Sequence, residues 1–392
     1  MDYSLSEFMQ YIEEEDIKFI KLTFCDVHGV PKNISIMPNE LEDAIANGIP
    51  INASLIPGFG QTVYSDLFLH PDISTTTLVP WRPENGRVIR MFCDITLEDG
   101  SPFPIDTRRV LQNAVKKAQE QGVDFTFGSR IEFYLFKTDD NGEPTRIPYD
   151  NAGYMDIAPQ DKGENVRREI CLTLERMGIL PINSHHEAGP GQNQIDFVGN
   201  TPVKAADNVL TYISVVKTIA ARYGLVADFS PKPLPDAPGN GFHVNVLAKD
   251  PKGEKDYLTA AIAGILNHIH DTTFFFNNSE HSYRRFGSGS APLDISWNKD
   301  NHGQLIRIPP AGPAKRIYAQ LRSPDALANP YLVMALLIYE CLDGISKSMS
   351  LPEDGQSLGT LPKSLNEARE LALKDEFVNE VFGKELVEAY CR

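Results

Sequence analysis

Cysteine is scarce and unpatterned in this chain of 392 residues. Cys25, Cys93, Cys171, Cys341 and Cys391 are odd in number, widely spaced and form no CxxC, which argues against a disulfide framework and against a zinc site. The usage fits a reducing cytosol. Basic charge is also in deficit: 37 Lys and Arg against 53 Asp and Glu give a formal net charge of -16. Nucleic acid and anionic membrane are therefore not expected partners, because both need a basic face. Long hydrophobic runs are missing too, the apolar stretch from Tyr331 to Tyr339 being far below the roughly 20 residues a bilayer span needs. The opening MDYSLSEFMQYIEEEDIKF is acidic and amphipathic, unlike a basic segment followed by an apolar core, so no signal peptide is read. Its acidic run from Glu13 to Asp16 reads as a solvated helix face. Neither repeats nor low-complexity tracts are evident.

A hydrophobic content of 42% over this length is ample for a buried core and suggests two or three domains. Up to about residue 105 the chain reads as a helix followed by short strands and turns, including IKFIKLTFCD and NGRVIRMFCDI. Pro102, Pro104 and Asp106 then mark a boundary. Asp106 can cap a helix whose Val110, Leu111, Ala114, Val115 and Ala118 recur at helical spacing and which Gly122 stops. Helical patterns near 163–178, 205–223, 257–277 and 330–346 follow, alternating with strand segments. Asn329 and Pro330 stand as N-cap and first residue of the most apolar of them. The expected class is α+β rather than a doubly wound sheet.

Four short segments carry polar residues two apart: Arg130 and Glu132 in GSRIEFYLF, Gln192 and Gln194 in GQNQIDF, His243 and Asn245 in GFHVNVL, and Gln320 and Arg322 in YAQLRSPD. Side chains of a strand alternate between faces, so each pair projects to one side while Ile131, Phe133 and Leu135 pack on the other. Four such strands would build a polar, concave sheet face.

These segments, in this order, resemble glutamine synthetase, the ATP-dependent ligase that joins ammonia to the γ-carboxylate of glutamate. The likeness extends through KLTFCDVHG, SDLFLHPD, LVPWRP, GYMDIAP, PKPLPDAPGNGFH, HSYRRF, NKDNHGQLIRIP, RSPDALANPYL and LPKSLNEA, and so covers nearly the whole chain. The resemblance implies a β-grasp domain over residues 1–105 and a catalytic-type domain over 106–392, with an antiparallel-sheet funnel surrounded by helices. In the family that funnel is completed by the small domain of an adjacent subunit.

The resemblance also implies a chemistry, and this sequence departs from it in several places. Glutamyl phosphate forms by phosphoryl transfer from ATP, with two magnesium or manganese ions on oxygen-rich ligands. The metal ligands that match are Glu132, Glu187 and His243, whereas Arg130, Gln194 and Gln320 stand where the family has Glu. A guanidinium would repel a dication by several kcal/mol even at an effective dielectric of ~20. Arg130 either turns outward or, as preferred here, fills the metal's place and pairs with Glu132 or Glu187. Arg307 and Lys315 match basic nucleotide-phosphate positions, but His302 and Tyr318 replace arginines and Asn245 replaces a histidine, so low ATP affinity is expected. Asn52 in NASLI replaces the Asp that deprotonates ammonium, and Ser290 replaces the Glu of the closing flap. Arg285, Arg322 and Gly239 match the substrate site, with Pro238 in place of an Asn. Both arginines either grip a substrate carboxylate or satisfy buried carboxylates of the funnel. His185 and His186 read as hydrogen-bonded neighbours of the metal ligands, and Trp81 and Trp297 as packing residues.

Taken together, the substitutions favour a homologue that has lost ligase activity, keeping the fold and a carboxylate or amino-acid pocket for a binding, regulatory or structural role. Two alternatives stand beside it. One is an active ligase for glutamate and ammonia or another amine, with ATP and magnesium or manganese; the other is a metal-independent enzyme using Glu132, Glu187, His185 or His243 as acid or base. Assembly into a homo-oligomeric ring, a hexamer or a stacked dodecamer, is expected, with stacking weakened because the sequence ends at ELVEAYCR without the family's C-terminal extension.

Overall fold

The structure is a computed structural model that describes residues 5–60, 65–82, 85–288, 291–299, 301–310 and 317–392. The amino-terminal part builds a five-stranded sheet, counted among the described residues, from β1 (Ile17–Cys25), β2 (Pro31–Ile36), β3 (Ile49–Asn52), β4 (Asp66–Leu78) and β5 (Arg87–Thr96), in the order β2-β1-β5-β4-β3. Parallel pairing joins β1 to β5 and the other neighbours are antiparallel. Helices α1 (Leu5–Glu14) and α2 (Leu41–Asn47) bury Phe8, Ile12, Leu41 and Ala44 against it.

Helix α3 (Thr107–Glu120) starts where the sequence placed it. The Asp106 side chain accepts from the Arg108 N–H, Val110, Leu111, Ala114 and Ala118 are buried, and Gly122 follows at φ +70, a conformation that glycine adopts without strain. Arg108 joins the two parts of the molecule. Its guanidinium lies 2.8 Å from Asp72 and 2.7 Å from Asp94 of the small sheet, and 3.3 Å from Asp207 behind the large one.

The larger part is a nine-stranded sheet among the described residues: β6 (Asp124–Thr138), β7 (Pro144–Pro148), β8 (Pro181–His186), β9 (Gln192–Asn200), β10 (Leu225–Asp228), β11 (Phe242–Lys249), β12 (Trp297–Asn298), β13 (Ile306–Arg307) and β14 (Ala319–Leu321). Its order is β12-β13-β14-β11-β6-β9-β8, with β7 and β10 also pairing with β6. All of these pairings are antiparallel except β12 with β13.

Behind the sheet lie α4 (Glu164–Arg176), α5 (Pro202–Arg222), α6 (Leu258–Phe276), α7 (Glu280–Arg285) and α8 (Pro330–Ser346), followed by α9 (Leu365–Lys374), α10 (Glu376–Phe382) and α11 (Lys384–Tyr390). The odd-numbered residues of β6 face this layer, Ile131, Phe133 and Leu135 being fully buried and Phe133 meeting Tyr212 of α5 edge to face. Asn329 caps α8 by accepting from Tyr331 N, and its amide also donates to Val27 O at 3.0 Å and Thr107 Oγ1 at 3.1 Å. Helices α6 and α8 cross backbone to backbone. A methyl group on Gly264 would sit 2.0 Å from the Glu340 carbonyl oxygen, and one on Gly344 2.1 Å from that of Ala260. Trp297 is buried and donates to Pro352 O, while Trp81 packs at the edge of the core. No helix among the described residues is long and apolar enough to cross a membrane.

Candidate active site

The four polar pairs lie on adjacent strands. In register, Glu132 faces Gln194, Arg130 faces both Asp196 and His243, and Asn245 faces Gln320, while Arg322 directly follows β14. Because β6, β9, β11 and β14 are neighbours, these side chains share one sheet face. Arg307 of β13 extends the row, opposite Gln320.

One end of the face is acidic. Glu132 is buried and accepts from the Gly241 N–H at 2.8 Å. Burial, then repulsion from Glu187, pushes its carboxyl above the ordinary range, and burial does the same to Glu187. Glu187 lies 3.6 Å from His185 Nδ1 and accepts from the Ala188 N–H. The turn that carries it is braced from below: Asp150 accepts from His186 Nε2 at 2.9 Å and from the Gly191 N–H at 3.0 Å. Asp150, His186 and nearby Asp161 bring two carboxylates and an imidazole close together, but Asp161 is paired with Arg167 and Asp150 is held by these donors and the Lys162 N–H. His185 and His186 are thus hydrogen-bonded supports, as expected.

Arg130 does not pair with Glu132 or Glu187. Its Nε lies 2.9 Å from Asp196 Oδ2, and Asp196 also accepts from Gln194 Nε2 at 2.8 Å and Asn183 Nδ2 at 3.1 Å. The cross-strand register selects that partner, since Asp196 is directly opposite Arg130. The reversed charge at position 130 is therefore paired locally with Asp196, while it still acts through space to lower the pKa of Glu187. His243 is buried and held neutral, its pKa lowered well below the usual value by burial and then by Arg322, Arg130 and Arg285.

Two divalent-cation positions can be tested against these donors. Glu132, Glu187 and the amide oxygen of Gln194 make an oxygen set of the kind magnesium or manganese accepts, and burial keeps both carboxyls raised although Arg285 and Arg322 act to lower the first and Arg130 the second. The set fits one such ion. Arg130, His243 and Gln320 do not fit a second: they offer one neutral imidazole, a guanidinium, and an amide engaged with Asn245 at 3.1 Å and Arg322 at 3.2 Å.

Arg285 is fully buried beside this face, donating to the backbone carbonyls of Ser323 and Pro324 with Asp325 and Glu132 as its counter-charges. Gly239 is required there, because a Cβ would lie 2.6 Å from Arg285 Cγ and 2.5 Å from Pro231 O. The Pro238 carbonyl accepts from Tyr134 Oη at 2.6 Å. Arg322 is buried as well, and burial lowers its pKa to about 10. His302 is exposed but kept toward the neutral form by partial burial and the charges of Arg307, Arg322 and Arg130. Tyr318 is half-buried, close enough to Arg130 to interact electrostatically. Asn52 ends β3 in the other sheet, exposed, and its side chain accepts from Ser54 N and Oγ. Lys315 and Ser290 lie outside the described residues.

Asp196 was not anticipated, although its position two residues after Gln194 places it on the same face. Gln192 was anticipated only as part of the pattern; its amide ties the site together by donating to Gly239 O at 3.1 Å and Asn240 Oδ1 at 3.2 Å.

Residues 16–98 match the glutamine synthetase β-grasp domain and residues 104–392 the glutamine synthetase catalytic domain. The chain belongs to the glutamine synthetase family. It is 38% identical over 408 residues to glutamine synthetase of Clostridium saccharobutylicum, covering 97% of this chain and 92% of that protein. Glutamine synthetase of Staphylococcus epidermidis is 39% identical over 365 residues, covering 90% and 81%. That of Staphylococcus aureus (strain MRSA252) is 36% identical over 412 residues, covering 98% and 92%. Among solved structures, a GmaS/ADP complex has a TM-score of 0.88 at 24% identity, covering 98% of this chain and 93% of its own, and apo GmaS without ligand gives the same score and identity over 99% and 94%.

These relatives overturn the expectation of a homologue without ligase activity. Near-full-length similarity to proteins named for the ligase fits an active enzyme better. One physical premise of that expectation fails as well, because Asp196 takes up the charge of Arg130.

Proposed function

We propose that the protein is an active ATP-dependent ligase of glutamine synthetase type, joining ammonia or another amine to the side-chain carboxylate of glutamate or a close analogue. The observation that carries this is the division of charge across one sheet face. Glu132 and Glu187 supply two carboxyls raised by burial, and Arg322 and Arg285 stand close enough to Glu132 to act on it, with Arg307 further along the row. Bound at Glu132, Glu187 and Gln194, magnesium or manganese would supply charge neutralisation for the nucleotide phosphates. The arginines bind and orient the anionic substrates, and the low dielectric of a buried face strengthens those contacts. ADP bound to a GmaS structure of the same fold supports a nucleotide site here.

Asn52 has no carboxylate with which to take a proton, so the amine reacts as the free base it brings from solution. Which amine is preferred is then a matter of pocket shape. The ligase works as a homo-oligomer in the cytosol, in which the small sheet that carries Asn52 closes a neighbour's funnel, as the family resemblance implies.

Release of ADP and phosphate with glutamate, magnesium and a panel of ammonium and primary amines tests the proposal, with product identified by mass. A turnover of about 1 per second with at least one amine is expected. Absence of any ligated product across the panel would refute it.

A further inference from the structure

Arg130 is gripped sideways. Its Nε makes an ion pair with Asp196 at 2.9 Å without hydrogen-bond geometry, the two Asp196 oxygens accept from Gln194 and Asn183, and among the described residues none accepts a hydrogen bond from its two terminal nitrogens. The side chain is 27% exposed, so those nitrogens have access to the polar face. Arg130 stands in register with His243, while Arg307 and Arg322 lie along the same row of strands. Arg307 has a buried Nε without a hydrogen-bond partner. After burial, and against the opposing charge of Glu132, the positive charges of Arg130 and Arg307 each depress the pKa of Arg322, so the row gathers like charges on one face.

Resting on the ligase function proposed above, we infer that Arg130, held by Asp196, takes the place of a second divalent cation and donates hydrogen bonds to the phosphoryl oxygens of the nucleotide. Each subunit then takes one divalent ion, at Glu132, Glu187 and Gln194. A guanidinium presents parallel N–H donors that match two phosphoryl oxygens, whereas an ammonium is a point charge. In the transfer, a substrate carboxylate oxygen forms the new bond to the γ-phosphorus and ADP leaves with the electron pair of the broken bond. Arg130 gives up no proton; it compensates charge on the phosphoryl oxygens throughout.

The test is a titration of the full oligomer with manganese chloride in the presence of the β,γ-imido analogue of ATP, read by electron paramagnetic resonance and calorimetry. One manganese per subunit is expected in the native protein, and two in the double variant Arg130→Glu, Gln320→Glu. Arg130→Gln should keep the count at one while weakening the analogue roughly 10- to 100-fold, the scale of a lost charge-assisted hydrogen bond. Arg130→Lys should recover only part of that loss. Two manganese ions per native subunit, or unchanged analogue affinity in Arg130→Gln, would overturn the inference even with ligase activity intact. The expected counts and affinities without product from any amine would uphold it and refute the ligase function instead.

Discussion

Replacing Glu132 with glutamine is expected to stabilise the metal-free protein near neutral pH and to abolish its stabilisation by magnesium. Glu132 is buried, and its carboxyl is raised above the ordinary value of 4.5 by burial and by Glu187. An acid with a raised folded-state pKa holds its proton more tightly in the native than in the unfolded chain. Stability is therefore greatest below the unfolded value and falls as pH climbs through the window up to the folded value. A tenfold change in proton affinity corresponds to ~1.4 kcal/mol, so the ionised native pair carries a penalty on the order of 1–4 kcal/mol near neutrality. The amide variant has no charge to desolvate, keeps an oxygen for the Gly241 N–H, and removes the repulsion between positions 132 and 187. Magnesium acts in the opposite sense, adding about 2.7 kcal/mol to the native protein at a hundredfold excess over its dissociation constant. Urea unfolding of both proteins, with and without magnesium chloride, near neutral pH and near the ordinary carboxylate value, separates the two effects. A variant less stable than the native protein near neutrality without metal, or one that gains as much from magnesium, would refute the assignment of Glu132 to a cation site.

Gly239→Ala drives a methyl group to 2.6 Å from Arg285 Cγ. It should cost on the order of 100-fold in kcat/KM by misplacing that guanidinium, chiefly through KM for the carboxylate substrate; unchanged kinetics would show that Arg285 does not grip substrate. Arg108→Met leaves buried Asp207 without its principal counter-charge and should destabilise the protein by about 3–5 kcal/mol in urea, with partial recovery on adding Asp207→Asn. With Asn52 unable to act as a base, the ligation rate at saturating nucleotide should rise about tenfold per pH unit below the amine's own pKa. A plateau in that range, measured by product formation, would reveal another base.

The sheet face was legible because strand alternation is local: Arg130 and Glu132, or His243 and Asn245, announce their common side without any knowledge of neighbours. The caps were legible for the same reason, Asp106 and Asn329 each lying within a few residues of the N–H groups they satisfy. Partnership across strands was not. Asp196 sits opposite Arg130 through the same register that pairs Glu132 with Gln194, and that register cannot be read from the spacing within either strand. Without that partner, the charge at position 130 reads as unbalanced, which weighs too heavily against ligase activity. Asp150 and His186 escaped as a brace because they are 36 residues apart.

Behind this exchangeable face, the crossing of α6 and α8 at Gly264 and Gly344 leaves no room for the two helices to approach more closely or to carry a side chain there. Chemical novelty in this lineage accordingly falls to paired substitutions on the open side of the sheet, such as an arginine answered by an aspartate. On the closed side a single methyl group would force the architecture itself to change.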